Sequence, residues 1–202
     1  MKVKKSNALY PIYRWIAGAT TEEVHHRYSL DCLSIYNPGD KTYYFSTNGR
    51  TAVRYSIPEQ RAEDKDGDIE HYKILKNNAA LVEVEKNDCG YLPKWETIVP
   101  TLCNGKRGEI ITLTPEDTEN IPILAAEIAY LLTKHSSICI NQSRVVEGIF
   151  PGLQGEINIE VFGDKKPVYF SGKGDRSEVW ESLVMPKRTP KDCNYKIRKG
   201  RL

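Results

Sequence analysis

Hydrophobic residues recur along the chain with two different periods, and these periods predict both strands and helices. Residues 156–162 (EINIEVF) alternate strictly, so that positions 157, 159 and 161 share an apolar face while the residues between them face water. Residues 121–132 instead repeat apolar side chains every three or four positions, which is the period of an amphipathic helix. Thr114 and Pro115 have the form of a helix start, so we expect a helix over residues 116–134.

The other segments predict a succession of short helices and antiparallel strands. The turn sequences at residues 37–40 (NPGD) and 48–49 (NG) separate runs rich in Tyr, Ile and Val, which is a hairpin signal. Residues 59–70 are charged, have no apolar period and predict a loop. Two blocks of short helix followed by antiparallel strands make α+β the expected fold class. The remaining expected elements are helices at residues 10–19 and 143–150, and strands at 27–36, 41–46, 50–57, 72–75, 79–84, 108–113, 137–140, 167–171 and 178–185.

Composition predicts a soluble globular protein. The chain has 202 residues, of which 40% are apolar and 28% are charged. Its longest apolar run, at residues 121–132, is interrupted by Pro122 and Glu127 and is too short for a bilayer. Residues 1–15 lack the sustained apolar stretch of a secretory signal. We therefore expect a cytoplasmic location.

The basic charge is concentrated at the C-terminal end. Residues 187–202 carry seven basic side chains against Asp192, a net charge of +6, whereas the whole chain has only +2. The rest of the chain is therefore mildly acidic. A basic tail on an acidic body indicates either a polyanionic partner or simply a solvated tail, and both interpretations stay open.

No residue pattern predicts a catalytic centre, a cofactor site or a metal site. The G-x-S-x-G and H-E-x-x-H patterns are absent, and the pairs at 105–106 and 172–173 (GK) lack phosphate-loop spacing. The adjacent His25 and His26 would point to opposite faces of a strand, which disfavours joint metal ligation. Five scattered cysteines without C-x-x-C spacing predict ordinary reduced thiols. We expect a protein that is not an enzyme.

An acidic run at Asp64, Asp66 and Asp68 offers one alternative to that expectation. The run departs from the EF-hand pattern, because its glycine is fourth rather than sixth and its twelfth residue is a leucine. Together with Glu70 it would suit a metal-dependent hydrolase, although such a run in a hydrophilic loop is typical of a solvated surface. A hydrolase is therefore the third-ranked hypothesis.

Three segments of the chain together resemble one protein family. They are residues 45–57 (FSTNGRTAVRYSI), residues 91–100 (YLPKWETIVP) and residues 171–188, which end in LVMPKR. In the same order, the bacterial sliding clamp, the β subunit of the replicative DNA polymerase, has T-D-G-H-R-L in its middle domain, F-P-D-Y-R-R-V-L-P at the junction with its last domain, and V-M-P-M-R-L at its end. Residues 137–150 followed by EINIEVF and PVYFS are also similar to the final half of a clamp's last domain.

The resemblance implies a processivity-clamp-like fold, with short helices packed on antiparallel sheets. It implies a first clamp-like domain at residues 1–100 with a charged insertion at 59–70, a second at 101–188, and a basic tail at 189–202. In this family the three segments converge on an apolar pocket, into which polymerases and repair proteins insert a short linear peptide. The peptide-binding residues implied here are Thr47, Gly49 and Arg50 on one wall, Pro93 and Ile98 on a second, and Leu183, Met185 and Pro186 on a third.

The resemblance also implies double-stranded DNA as a partner, encircled by a homo-oligomeric ring. Clamps line their hole with basic helices, whereas residues 116–134 carry four acidic side chains against Lys134, so the tail would have to supply much of the positive charge. The first hypothesis is thus a DNA sliding clamp-like processivity factor of DNA replication. The second is a monomeric clamp-fold interaction or regulatory protein whose basic tail binds nucleic acid. The implied DNA-binding residues are Arg144, Lys187, Arg188, Lys196, Arg198, Lys199 and Arg201.

Overall fold

The computed structural model of the chain describes residues 1–21, 29–38, 40–58, 69–88, 95, 108–114, 120–174 and 178–187. Within these residues the chain forms ten strands and three helices, which confirms the expected α+β class. The strands are β1 (Lys2–Lys4), β2 (Cys32–Tyr36), β3 (Lys41–Thr47), β4 (Thr51–Pro58), β5 (Ile69–Asn77), β6 (Leu81–Lys86), β7 (Glu109–Leu113), β8 (Gln154–Val161), β9 (Val168–Lys173) and β10 (Val179–Val184), and the helices are α1 (Tyr10–Gly18), α2 (Ile121–Ser136) and α3 (Gln142–Gly148).

All ten strands belong to one antiparallel sheet. Their order is β1-β6-β5-β2-β3-β4-β10-β9-β8-β7, so the described sheet has β1 at one edge and β7 at the other. The hairpin of β3 and β4 confirms the turn predicted at residues 48–49. In the middle of the sheet β4 pairs with β10, with Thr51 opposite Val184 and Ser56 opposite Val179. The two halves of the chain are therefore joined strand to strand.

Alternation along the central strands sends one set of side chains into the main core. On this face, which we call the helix face, α1 inserts Trp15, whose ring meets Phe150, Trp180 and Tyr55 edge-on at centroid distances of 5.3, 6.2 and 6.4 Å. The Trp15 indole nitrogen donates to the backbone oxygen of Glu147 in α3 at 2.9 Å. A single buried cluster thus joins the sheet to all three described helices.

One predicted helix start and one predicted strand are wrong in the structure. α2 begins at Ile121 rather than at residue 116, because Asn120 is its N-cap and accepts a hydrogen bond from the Ile123 backbone nitrogen. Residues 115–119 lie outside the described residues. The strand predicted at residues 137–140 does not form: Ser137 ends α2 in the left-handed region with φ of 54°, and Ile138 then passes buried through the core. The apolar run there reflects burial between two helices and not sheet pairing.

The start of β5 and the state of one cysteine also differ from expectation. Ile69 and Glu70, expected in the charged loop, belong to β5 and pair with β2, while residues 59–68 lie outside the described residues.

The expectation of reduced thiols holds for Cys32, which is buried and free, and is wrong for Cys139, which is disulfide-bonded. Disulfides form where the fold brings two Cα atoms together, which sequence spacing does not reveal.

None of the helices in the described part of the chain is long and apolar enough to cross a membrane. The domain division expected after residue 100 falls outside the described residues and stays a prediction.

Candidate functional site

The first predicted wall is the tight turn between β3 and β4. Gly49 has φ of 78°, a left-handed conformation that glycine adopts without strain. The Thr47 hydroxyl accepts from the Gly49 backbone nitrogen at 3.0 Å and donates to the Thr51 backbone oxygen at 2.9 Å. Asn48 Oδ1 accepts from the backbone nitrogens of Arg50 and Thr51 at 3.0 and 2.8 Å. These bonds fix the turn, and the Gly49 and Arg50 residues at its tip are exposed.

The third predicted wall lies directly beside this turn. Leu183 is the cross-strand partner of Ala52, and Val184 is the partner of Thr51. Beyond the end of β10, the Met185 backbone nitrogen donates to the Arg50 oxygen at 2.9 Å. Met185 is half-buried, and Pro186 after it is buried. The structure thus brings the first and third segments together at one end of the β4–β10 pair.

Helix α3 supports both walls from the helix face. Its Glu147 carboxylate accepts from Asn48 Nδ2 at 3.3 Å and from Thr51 Oγ1 at 3.2 Å. One turn earlier on the same helix, Arg144 Nη1 donates to the Met185 backbone oxygen at 3.3 Å. Residues three apart on a helix lie on the same face, so these two side chains reach the two walls together.

The second segment reaches the same surface through Trp95. Its predicted wall residues, Pro93 and Ile98, lie outside the described residues. Trp95 itself is buried in a cluster on the sheet face opposite the helices, which we call the outer-face cluster, formed by Phe45, Ala52, Trp95 and Leu183. The Trp95 and Phe45 rings meet edge-on with centroids 5.6 Å apart. All three segments therefore contribute to one place on the outer face.

Cross-strand pairing arranges the side chains of the outer face in rows, each at a known distance from the turn along the strands. Alternate residues of a strand point to the same face about 7 Å apart, so each row lies that far from the next. We call the row nearest the turn the turn row and the row after it the inner row. The turn row is Thr47, Ala52, Leu183 and Tyr169, and the inner row is Phe45, Arg54, Glu181 and Ser171.

A buried ion pair occupies the inner row. Arg54 Nε and Nη2 both donate to Glu181 Oε2, at 2.7 and 2.6 Å, and the two side chains are only 14% and 11% exposed. The Tyr169 hydroxyl donates to the other Glu181 oxygen. Burial first, and then the adjacent Glu181 carboxylate, raise the pKa of Tyr169, so the hydroxyl remains a donor. The Arg54 guanidinium also lies 4.9 Å from the ring centroids of both Tyr43 and Trp95.

The residues predicted to bind DNA are described only in part. Arg144 makes the contact with Met185 given above, and the Lys187 backbone nitrogen donates to the Cys139 oxygen at 2.8 Å. The other five, Arg188, Lys196, Arg198, Lys199 and Arg201, lie outside the described residues.

No metal site is found in the described part of the chain, where no three His, Cys, Asp or Glu residues are grouped to hold an ion. The acidic run at residues 64–68 lies outside that part, so the hydrolase hypothesis gains no structural support.

Sequence reasoning missed four residues that shape this place: Trp95, Arg54, Glu181 and Glu147. Trp95 lies within the second segment, residues 91–100, and its aromatic side chain was the one signal in the sequence that could have pointed to it. Arg54 and Glu181 are single charged residues within otherwise uncharged strands, a pattern that indicates pairing across a sheet. Nothing in the sequence around Glu147 points to the turn, because that contact depends on how α3 packs.

Comparison with known proteins gives structural matches only. No family profile and no curated protein matches the sequence. The β chain of DNA polymerase III from Streptococcus pneumoniae superposes with a TM-score of 0.62 at 10% identity, over 94% of this chain and 64% of that chain. The β subunit from Thermotoga maritima gives 0.61 at 9% identity, over 94% and 65%. The Helicobacter pylori β clamp bound to a DNA ligase peptide gives 0.59 at 11% identity, over 93% and 66%.

These matches extend over nearly the whole of this chain, and the chain spans slightly less than two thirds of the length of each clamp subunit. At such low identity the likeness concerns the fold, the order of its elements and their packing. The chain is therefore a structural relative of the bacterial DNA polymerase III β clamp and has its fold.

Proposed function

We propose that this chain is a non-enzymatic, sliding clamp-like processivity factor. It docks short linear peptides of DNA polymerases or repair proteins at the surface where the three segments meet. As a ring of several copies, it tethers these partner proteins to double-stranded DNA. The observation that carries the proposal is the junction of the β3–β4 turn with the end of β10, closed by the hydrogen bond from Met185 to Arg50.

The chemistry of this junction suits an extended peptide with an apolar side chain. Gly49 lacks a side chain at the tip of the turn, so a peptide backbone can approach closely. Met185 is half-buried and unbranched, and such a side chain adapts to apolar anchors of different shape. The exposed Arg50 places a cation at the rim, where it suits an acidic residue or a terminal carboxylate of the peptide.

Two features support the ring and the tether. The described sheet ends in β1, where Lys4 is exposed and Lys2 is ion-paired with Glu83 at 3.1 Å, and in β7, where Glu109 is exposed. An edge strand can pair with an edge of a second copy in a head-to-tail assembly. The basic tail beyond Lys187 supplies charge for sequence-independent phosphate contacts.

A second candidate function is a monomeric clamp-fold interaction protein whose tail binds nucleic acid. The observation that favours it is the charge of the described helices. Lys134 and His135 are the basic residues of α2, against Glu127, and α3 carries Arg144 against Glu147. Helices so poor in net positive charge provide few of the phosphate contacts that a DNA-encircling ring needs.

Peptide binding is the test of the docking site. The probe is the DNA ligase peptide present in the Helicobacter pylori structure, labelled with fluorescein and titrated with this protein by fluorescence anisotropy. We expect Met185→Asp to weaken binding at least about tenfold, because a carboxylate desolvated against an apolar anchor costs more than 1.4 kcal/mol. Ile123→Asp is the matched control, since Ile123 is 56% exposed on α2, away from the three segments. Equal affinity of the two variants would reject the site.

Mass in solution separates the two candidate functions. Light scattering at high micromolar concentration should give a multiple of the 23.0 kDa chain mass for a ring-forming clamp. A closed ring of two-domain chains needs about three copies. A strict monomer would favour the second candidate. Retention on circular DNA that is lost when the circle is cut would then support encirclement, whereas equal retention on both forms would indicate binding through the tail.

A further inference from the structure

The space next to the proposed docking surface is already occupied by the chain itself. Trp95 packs against Phe45 and Arg54 of the inner row, and it belongs to one buried cluster with Ala52 and Leu183 of the turn row. The exposed fractions are only 5% for Trp95 and 4% for Leu183, although no partner is present. The apolar floor that would receive a deep side chain of a docked peptide is therefore covered by an indole ring.

Trp95 is also held in that place by charge. Arg54 lies between the rings of Tyr43 and Trp95, at 4.9 Å from each centroid, and two hydrogen bonds to Glu181 fix its guanidinium. Glu181 in turn accepts from the Tyr169 hydroxyl. A cation stacked on an indole ring and anchored by a carboxylate restrains the ring more than apolar contact alone. The tryptophan is thus a built part of the outer face.

The part of the junction that stays accessible is shallow. Toward the turn, the exposed residues are Gly49 and Arg50, with Met185 half-buried beside them. The inner row lies about 7 Å from the turn row along the strands, and Trp95 packs against its Phe45 and Arg54. A peptide side chain that enters between Arg50 and Met185 therefore meets Trp95 after about one residue spacing.

We infer that Trp95 is a specificity-determining residue of this surface, which limits its peptides to a small aliphatic anchor and excludes aromatic ones. The inference rests on the proposed peptide-docking function and adds the size class of the anchor. An aromatic anchor has to displace the indole ring from Phe45, Ala52 and Leu183 and from its stack on Arg54. A side chain of the size of Ala or Val fits above the ring without moving it.

The experiment that tests the inference varies both the size of the peptide's anchor side chain and the size of the side chain at position 95. The DNA ligase peptide is prepared with Ala, Val or Phe substituted in turn at each of its apolar positions, and affinities are measured for wild type, Trp95→Phe and Trp95→Ala. We expect wild type to bind the best Ala or Val peptide about tenfold more tightly than its Phe counterpart, the usual effect of a few carbon atoms in an apolar pocket. Trp95→Ala should reverse that order, and Trp95→Phe should give an intermediate preference.

The outcomes distinguish failure of this inference from failure of the proposed peptide-docking function. A reversed preference in Trp95→Ala supports it. If every peptide changes affinity by the same factor in the Trp95 variants, Trp95 is only a wall or a structural residue, and the inference is overturned while peptide docking stands. If wild type and all folded variants bind none of the peptides, the proposed function fails and the inference fails with it. Trp95→Phe retains a buried aromatic ring, so circular dichroism of this variant guards against unfolding as the cause.

Discussion

The ion pair of the inner row gives a prediction whose size follows from the structure. We expect Glu181→Gln to lower the free energy of unfolding by about 2–3 kcal/mol. The carboxylate accepts two hydrogen bonds from Arg54 and one from Tyr169, and hydrogen bonds that involve a charged group contribute about 1.5–3 kcal/mol each. Glutamine keeps the shape and one acceptor, so about half of the interaction with Arg54 remains. The guanidinium also keeps its aromatic neighbours, which holds the loss below the 3–5 kcal/mol usual for breaking a buried pair.

Urea unfolding followed by circular dichroism measures this change, provided that the dependence on urea concentration keeps its slope. Glu178→Gln is the control, because its carboxylate lies on the helix face just before β10, accepts from the Tyr55 hydroxyl at 2.8 Å and has no ion pair among the described residues. We expect less than about 1 kcal/mol for the control.

A double substitution tests whether charge is the cause. Replacing both charged partners, as Arg54→Met with Glu181→Leu, should destabilise the protein less than the sum of the two single changes by at least about 1.5 kcal/mol, because no desolvated charge is left behind. Additive single effects, or a Glu181→Gln variant within about 0.5 kcal/mol of wild type, would refute the reasoning. The Trp95 position would then have to be explained by apolar packing alone.

Two further predictions concern the core and the response to pH. Gly172→Ala should cost about 1–3 kcal/mol in urea unfolding, because a Cβ there would lie 2.5 Å from the indole nitrogen of the fully buried Trp180. Gly18→Ala, whose Cβ would have no neighbour within 4 Å, should be neutral or slightly stabilising, and equal losses at both glycines would contradict the packing argument. Burial lowers the pKa of His71 below its ordinary value of 6.5, so the unfolded chain binds a proton at higher pH than the folded chain. The free energy of unfolding should therefore fall as the pH decreases from about 7 to 5, and His71→Gln should flatten that slope; an unchanged slope would mean that other groups dominate.

Local patterns in the sequence were enough to predict most of the sheet. Strict alternation at residues 156–162 corresponds to β8, and the turn at residues 48–49 corresponds to the β3–β4 hairpin. Both are short-range signals, in which side-chain period and a glycine with positive φ decide the outcome. The start of α2 was misplaced because two caps competed. Asn120 followed by Pro122 is as good a helix start as Thr114 with Pro115, and packing decides between them.

The proximity of the first and third segments depends on strand pairing, whereas the other contacts of this surface depend on long-range packing. The junction of Arg50 with Met185 follows once β4 and β10 are neighbours. The burial of Trp95 does not follow from any local pattern, because it depends on packing against Phe45 and Arg54, which are remote in sequence. The hydrogen bonds from Glu147 to the turn likewise depend on how α3 packs. Pairing across the sheet can be read from motifs, whereas the side chains that cover it cannot.

The pairing of β4 with β10 has a consequence for how the chain acquires its fold. Thr51 pairs with Val184, and Val3 of β1 pairs with Val82 of β6, so the sheet includes contacts between residues that are remote in sequence. Such high contact order slows folding, because the entropy of closing long loops is lost before the contacts form. On the ribosome, β4 would be synthesised long before β10 and would stand as an unprotected edge until the last strands emerge. The junction of the β3–β4 turn with Met185 would then form only when β10 pairs with β4.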